Sequence, residues 1–289
     1  MTDMLRRRVA TITCLVGLLS VLVGAQGGPR RIVSVVPALT EALFAIGAGP
    51  DVVGVGSFDS HPPEVASRPR VGGLLDPDME QIFRLRPDLV ILYGSQRDQI
   101  EQLTRAGIPV FSYAHGGVAD TLSVIRQLGT RTGRADDAAR VSAAIETQLA
   151  DVRARVGDRE RPRVLLVFGR EPGSLRNIYA SGGIGFLHDM LEAAGGANVF
   201  ADVPRESVQL TSEAILTAAP EAIIELTYDD RMTLDTQAAE IAVWNRLSSV
   251  PAVRNRRVRL LLGNQFVQPG PRLGDATAAI ARALHPEAF

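Results

Sequence analysis

Residues 78–94 read DMEQIFRLRPDLVILYG, and residues 211–226 read TSEAILTAAPEAIIEL. Setting Glu80 over Glu213 brings Ile82 onto Ile215, Phe83 onto Leu216, Pro87 onto Pro220, Asp88 onto Glu221, Val90 onto Ile223 and Ile91 onto Ile224. Each copy predicts a short helix opened by an acidic residue, stopped by a proline that cannot continue it, and followed at once by a buried strand. The copies lie 133 residues apart, far beyond solenoid periods of roughly 20–50 residues. Two similar globular halves account for that spacing.

The flanking sequence fits the same plan. Arg31–Val36 predicts a strand that Pro37 ends, and Leu39, Leu43, Phe44 and Ile46 recur at helical spacing up to Gly47. Strands are expected at Val52–Val55, Leu89–Tyr93 and Val110–Tyr113, with helices at Gln96–Arg105 and Ala119–Leu128. After residue 160 the pattern restarts with strands at Val164–Phe168, Ala222–Leu226 and Val258–Leu262 and helices at Phe186–Ala194, Ala238–Leu247 and Asp275–Leu284. The alternation predicts an α/β protein of two Rossmann-like lobes, each with a parallel sheet. Between them, Ala135–Val156 runs 22 residues without Gly or Pro and carries Ala138, Val141, Ile145, Leu149 and Val152 on one stripe. That is a helix of about 33 Å, read as the rigid connection between the lobes. The alternative is an ordinary crossover helix. The expected division is residues 30–134 for the first lobe, 135–157 for the connecting helix and 161–289 for the second.

Residues 1–25 stand apart. Arg6, Arg7 and Arg8 precede the apolar run Val9–Val23, and Val23, Gly24 and Ala25 supply the small residues of a cleavage site. This predicts a cleaved signal peptide and a periplasmic protein, with a retained membrane anchor as the alternative. The single cysteine, Cys14, lies inside the apolar run without a lipobox before it, so no lipid anchor, disulfide or thiol chemistry is expected. A formal net charge of −1 gives no footprint for nucleic acid or an anionic membrane.

No G-x-S-x-G, P-loop or H-E-x-x-H pattern is present, and the four histidines, His61, His115, His188 and His285, are scattered without metal-ligand spacing. No metal site, cofactor or catalytic residue is predicted. Loops following strands should converge on a cleft between the lobes, the usual place for a small ligand in open α/β folds. They supply Pro37, Ala38, Phe58, Asp59, His61 and Leu74 from the first half. Arg170, Arg176, Tyr179, Arg205, Ser207, Gln265 and Phe266 come from the second. Aromatic surface and fixed positive charge suit a bulky, partly anionic ligand. His61 is the histidine retained as a candidate, because it sits in a proline-held loop after a strand. Glu80 and Glu213 each fall in a first helical turn, where a carboxylate meets the positive end of the helix dipole. Two symmetric carboxylates could equally pair with arginines on a two-fold symmetric partner.

The run RIVSVVPALTEALFAIGAGPDVVGV, the HPPE of the next loop, the helix DMEQIFRLRPDLVIL and the second-half runs GFLHDMLEAAGGANVF and LTSEAILTAAPEAIIEL resemble the cobalamin and iron-chelate substrate-binding proteins of ABC importers. The resemblance covers nearly all of residues 30–286. It implies a monomer of two lobes joined by one long helix, with little hinge motion. A metal-chelate ligand would be held between the lobes and delivered to a permease dimer with its ATPase subunits. Under it, Glu80 and Glu213 match the two docking glutamates that engage permease arginines. The pattern is most similar to the vitamin B12 binders, although Leu74, Ser207 and Gln265 stand where tryptophans are expected. Haem and ferric siderophores are the alternative ligands. Haem would take His61 or Tyr179 as an axial ligand, and an anionic siderophore would use Arg170, Arg176 and Arg205. An exported enzyme using the same cleft and a ligand-sensing module docking to a receptor are the competing classes.

Overall fold

The structure, a computed structural model, describes residues 28–289. The segment read as a signal peptide, and Cys14 within it, lie outside the described residues. The first sheet is built from β1 (Ile32–Ser34), β2 (Val52–Val55), β3 (Leu89–Tyr93) and β4 (Val110–Tyr113) in the order β2-β1-β3-β4, all parallel. Helices α1 (Pro37–Ala45), α2 (Met79–Arg84), α3 (Arg97–Arg105) and α4 (Val118–Thr132) alternate with these strands. Helix α5 is Ala135–Val156, the range expected from sequence.

The second sheet contains β5 (Arg163–Gly169), β6 (Ile178–Ser181), β7 (Ala197–Asn198), β8 (Ser207–Leu210), β9 (Ala222–Thr227) and β10 (Val258–Leu262). Its order is β10-β9-β5-β6-β8, with β7 also paired to β5. Here the expected parallel sheet needs correction. Strands β5, β7, β9 and β10 are parallel, but β6 runs antiparallel to both β5 and β8. The cause is local. Gly173 and Asn177 adopt positive φ and turn the chain back before β6, inside a segment whose Pro172 and Gly173 read as loop. Helices α6 (Phe186–Ala193), α7 (Ser212–Ala218), α8 (Leu234–Val243), α9 (Pro251–Arg254) and α10 (Leu273–Leu284) complete this lobe.

The internal repeat has a physical basis. In α2, Asp78 caps the Gln81 amide, and in α7, Thr211 caps the Ala214 amide, so Glu80 and Glu213 are both the second residue of a capped helix. Ile82 and Ile215 are both fully buried. The residues before the two prolines, Arg86 and Ala219, share a left-handed conformation (φ 47° and 43°). Asp88 then accepts the Arg31 amide at 2.9 Å, and Glu221 accepts the Arg163 amide at 2.8 Å. The Arg31 side chain donates to the Leu85 carbonyl and Arg163 to that of Ala218. The acid after each proline therefore holds the start of the neighbouring first strand.

Helix α5 packs on α4 of the first lobe and on α6 and α10 of the second. Its buried residues, Ala138, Ser142, Ile145, Leu149, Val152 and Val156, follow 3–4 spacing. Gly129 of α4 admits this contact, since a Cβ there would fall 2.3 Å from that of Ala138. One apolar cluster runs from β1 and β3 through α5 to β5, β9 and α10, so the lobes share a core.

Candidate functional site

The strand ends of both sheets face a common cleft. Its main cavity, of about 800 Å³, is lined by Pro37, Ala38, Phe58, Leu74, Leu75, Asp76, Tyr93 and His115 of the first lobe and by Tyr228, Asn264, Val267, Gln268 and Pro269 of the second, among others. A side chamber of about 210 Å³ adjoins it, walled by Phe168, Ile184, Phe186, Leu187, Glu206 and Ser207. His115, Tyr228 and Val267 belong to both spaces. The combined size is that of a cavity for a bulky small molecule. The walls are largely apolar. The charged residues among them are Asp76 and Glu206, and among the described residues no arginine lines either space.

Tyr93 and Tyr113 are register neighbours at the ends of β3 and β4, with ring centroids 5.7 Å apart. His115 follows two residues later, 5.2 Å from the Tyr113 ring and 6.4 Å from that of Phe186, stacked on the latter. Its Nδ1 lies 3.3 Å from the Tyr113 hydroxyl. His115 as a residue is exposed, but partial desolvation of its ring pulls the imidazole below its ordinary pKa, against the opposing charge of Glu206. Burial also pushes Tyr93 up to about 12, with Asp59 and Tyr228 adding to the rise.

Of the residues selected from sequence, Pro37, Ala38, Phe58 and Leu74 line the main cavity and Ser207 lines the side chamber. The others need correction. Arg170 is buried: its Nε lies 2.8 Å from Glu225 and its Nη2 2.7 Å from Glu240, under the Trp244 ring. A buried guanidinium requires such partners, so it is no free cleft charge. Trp244 donates to Glu225 at 2.8 Å and completes the cluster. Arg176 pairs with Glu171 on the surface, and Arg205 is exposed away from both spaces. Phe266 is 4% exposed and belongs to the apolar core. Gln265 bonds Arg272 and the Leu262 carbonyl. Tyr179 points beside Phe168 from β6, and His61 is half-buried; neither lines the cavity.

Asp59 is 3% exposed, and neither carboxylate oxygen has a hydrogen-bond partner of ordinary geometry. Burial raises its pKa from 3.8 to about 6, opposed in part by Thr40, Gly56 and Arg70. An acid whose folded pKa exceeds its unfolded one binds its proton more tightly when folded. Its contribution is complete below about pH 4 and lost as pH rises through 6, on the order of 3 kcal/mol over that window. Urea denaturation of the native chain and Asp59→Asn at pH 5 and pH 7.5 is expected to show the native chain losing about 1 kcal/mol more than the variant. Equal losses would show that Asp59 is ionised at both pH values.

Two sets of contacts tie the lobes together around the cleft. At its base, Arg272 grips Glu41 of α1 through two hydrogen bonds of 2.8 and 2.7 Å. The same guanidinium reaches Asn264 at 2.8 Å, and Asn264 donates to Ser60 at 2.8 Å across the cleft. On the flank, the Phe186 amide donates to the Gly116 carbonyl at 3.0 Å and the Val118 amide to Asp189 at 2.8 Å.

A two-lobed α/β chain with its cavity between strand ends and one helix behind both lobes is the architecture of a solute receptor. The chain belongs to the periplasmic binding protein family, whose profile matches residues 32–263. A vitamin B12-binding protein of Salmonella typhimurium is 29% identical over 273 residues, covering 92% of this chain and 94% of that one. An ABC transporter substrate-binding lipoprotein of Bacillus subtilis is 28% identical over 269 residues, covering 90% and 82%. Among solved structures, the apo periplasmic heme-binding protein RhuT of Roseiflexus sp. RS-1 superposes with a TM-score of 0.75 at 27% identity, covering 91% of this chain and all of that one.

Proposed function

We propose that this protein is the periplasmic substrate-binding component of an ABC importer, exported by residues 1–25, and that it captures a corrinoid and delivers it to a permease dimer with its ATPase subunits. The observation that carries the reading is the composition of the cleft. Its apolar walls and its lack of arginine suit a macrocycle whose edges carry neutral amides. A haem with two propionates, or an anionic siderophore, would meet Asp76 and Glu206 instead of positive charge. The curated B12-binding relative supports the same class. Binding and release require no covalent chemistry.

Titration calorimetry of the purified protein tests this reading, with cyanocobalamin as ligand and haem and a ferric siderophore as comparators. The expected result is cyanocobalamin binding with Kd below about 1 μM, more than about 8 kcal/mol, and weaker binding of the comparators. No cobalamin binding with tight haem or siderophore binding would overturn the corrinoid. Phe58, 73% exposed on the wall of the cavity, is the side chain to remove. Phe58→Ala is expected to weaken cyanocobalamin binding by about tenfold or more and to leave the thermal midpoint within about 1 °C. A large loss of stability instead would make Phe58 a packing residue.

A further inference from the structure

Among the described residues, the four histidines have different surroundings. His285 is buried with Nε2 on the Gly195 carbonyl, His188 holds Asn198 through Nδ1, and His61 stands outside both spaces of the cleft. His115 alone of these lines the cleft, on the wall that the main cavity and the side chamber share. Its ring is held by Tyr113, Tyr93 and Phe186, and its Nδ1 faces the Tyr113 hydroxyl at 3.3 Å. In the tautomer with the proton on Nδ1, that N–H donates to Tyr113 and the Nε2 lone pair is left free. This is the arrangement that orients metal-bound imidazoles through a partner on the second nitrogen. No group of three or more His, Cys, Asp or Glu side chains among the described residues could hold a free ion. One imidazole on the cleft wall suits a metal that arrives already chelated.

We propose that His115 is an axial ligand, through Nε2, for the metal of a planar tetrapyrrole seated in the cleft. The inference rests on the reading of the cleft as a metal-chelate site and narrows the ligand class. A planar macrocycle leaves its metal two axial positions, one of which must be exchangeable. A hexadentate siderophore leaves none. The step is a ligand exchange: the Nε2 lone pair forms the metal–nitrogen bond as metal-bound water leaves, and no oxidation state changes. Protonation of the imidazole competes with this bond; although the residue as a whole is exposed, the partial desolvation of its ring favours the neutral form that coordinates, while Glu206 opposes it. Tyr113 acts as a positioning residue for the ring.

Two corrinoids that differ only at the axial positions test the assignment. The full chain, His115→Phe and Tyr113→Phe are titrated with diaquacobinamide, which carries water there, and with dicyanocobinamide, in which cyanide blocks both positions. Affinity is read from quenching of the Trp244 fluorescence, and coordination from the visible absorption of the cobalt. The native chain is expected to bind diaquacobinamide at least tenfold more tightly than dicyanocobinamide, with the band shift of water replaced by imidazole. His115→Phe should lose the shift and the preference while keeping its affinity for dicyanocobinamide. Tyr113→Phe should keep the shift with a smaller preference. Equal affinity for the two compounds without a shift, or a shift that survives in His115→Phe, overturns the assignment and leaves the chelate reading intact. Failure of the native chain to bind either corrinoid overturns the corrinoid reading, and this inference with it.

Discussion

Arg272→Ala is expected to destabilise the protein by about 3–5 kcal/mol, the cost of leaving one member of a buried ion pair without its partner. Glu41 is 5% exposed, and both of its oxygens are held by Arg272. The substitution leaves a nearly buried carboxylate without its two donors, in the seam between α1 of one lobe and α10 of the other. The double variant Glu41→Gln/Arg272→Met removes both charges and should recover most of the loss, as replaced buried pairs do. Urea denaturation of the two variants checks this. If the double variant is as unstable as Arg272→Ala, the contribution of Arg272 is packing and not charge.

The second large effect concerns transport. Glu80 and Glu213 project from equivalent capped positions of α2 and α7, and Glu80 is 82% exposed with Arg84 as its ion-pair partner. Such an i,i+4 pair on the surface contributes about 0.5 kcal/mol at most, and Glu213 is likewise exposed, so loss of either side chain is expected to cost little stability. As the proposed docking pair, they would meet arginines on two permease subunits. Glu80→Ala/Glu213→Ala is expected to bind cyanocobalamin as the native chain does and to abolish ATP-driven uptake into vesicles carrying the permease and ATPase. Uptake at the native rate would remove the docking assignment. Loss of ligand binding would place the acids in the cleft instead.

The repeat was the legible part of the fold because each of its signals is local. A cap, a helical spacing, a proline and a continuous apolar run need no partner to be read. The connecting helix was legible for the same reason. Strands β6 and β8 were not. Ile178–Ser181 is only four residues long, and Ser207–Leu210 is a half-exposed edge strand without an apolar run. Their pairing is set by the chain reversal around Gly173, not by their own pattern.

The site was legible by position more than by chemistry. The rule that loops after strands bear ligands selected Pro37, Ala38, Phe58 and Leu74, and these four line the cavity. Applied to β4 as well as β2, it would have selected His115, two residues past Tyr113, in place of His61. Arg170 misled for a physical reason. A charge after a strand reads as cleft-facing until Glu225 and Glu240, 55 and 70 residues later in the chain, are known to surround it. Phe266 and Gln265 share that problem, since only the fold shows one entering the core and the other turning to Arg272.

The unequal ties between the lobes have a mechanical consequence. A shared apolar core and the Arg272–Glu41 fork act as a fixed pivot, whereas the Asn264–Ser60 contact across the cleft is one hydrogen bond worth about 1 kcal/mol. A pull applied to the outer faces spreads the tips long before it parts the base, as with tweezers joined at the heel. Under the proposed function, a cargo would enter a gap that these ties have already formed, with little ordering cost. Unloading would then take work from outside, and the sites where that force could be applied with the longest arm are those farthest from α5.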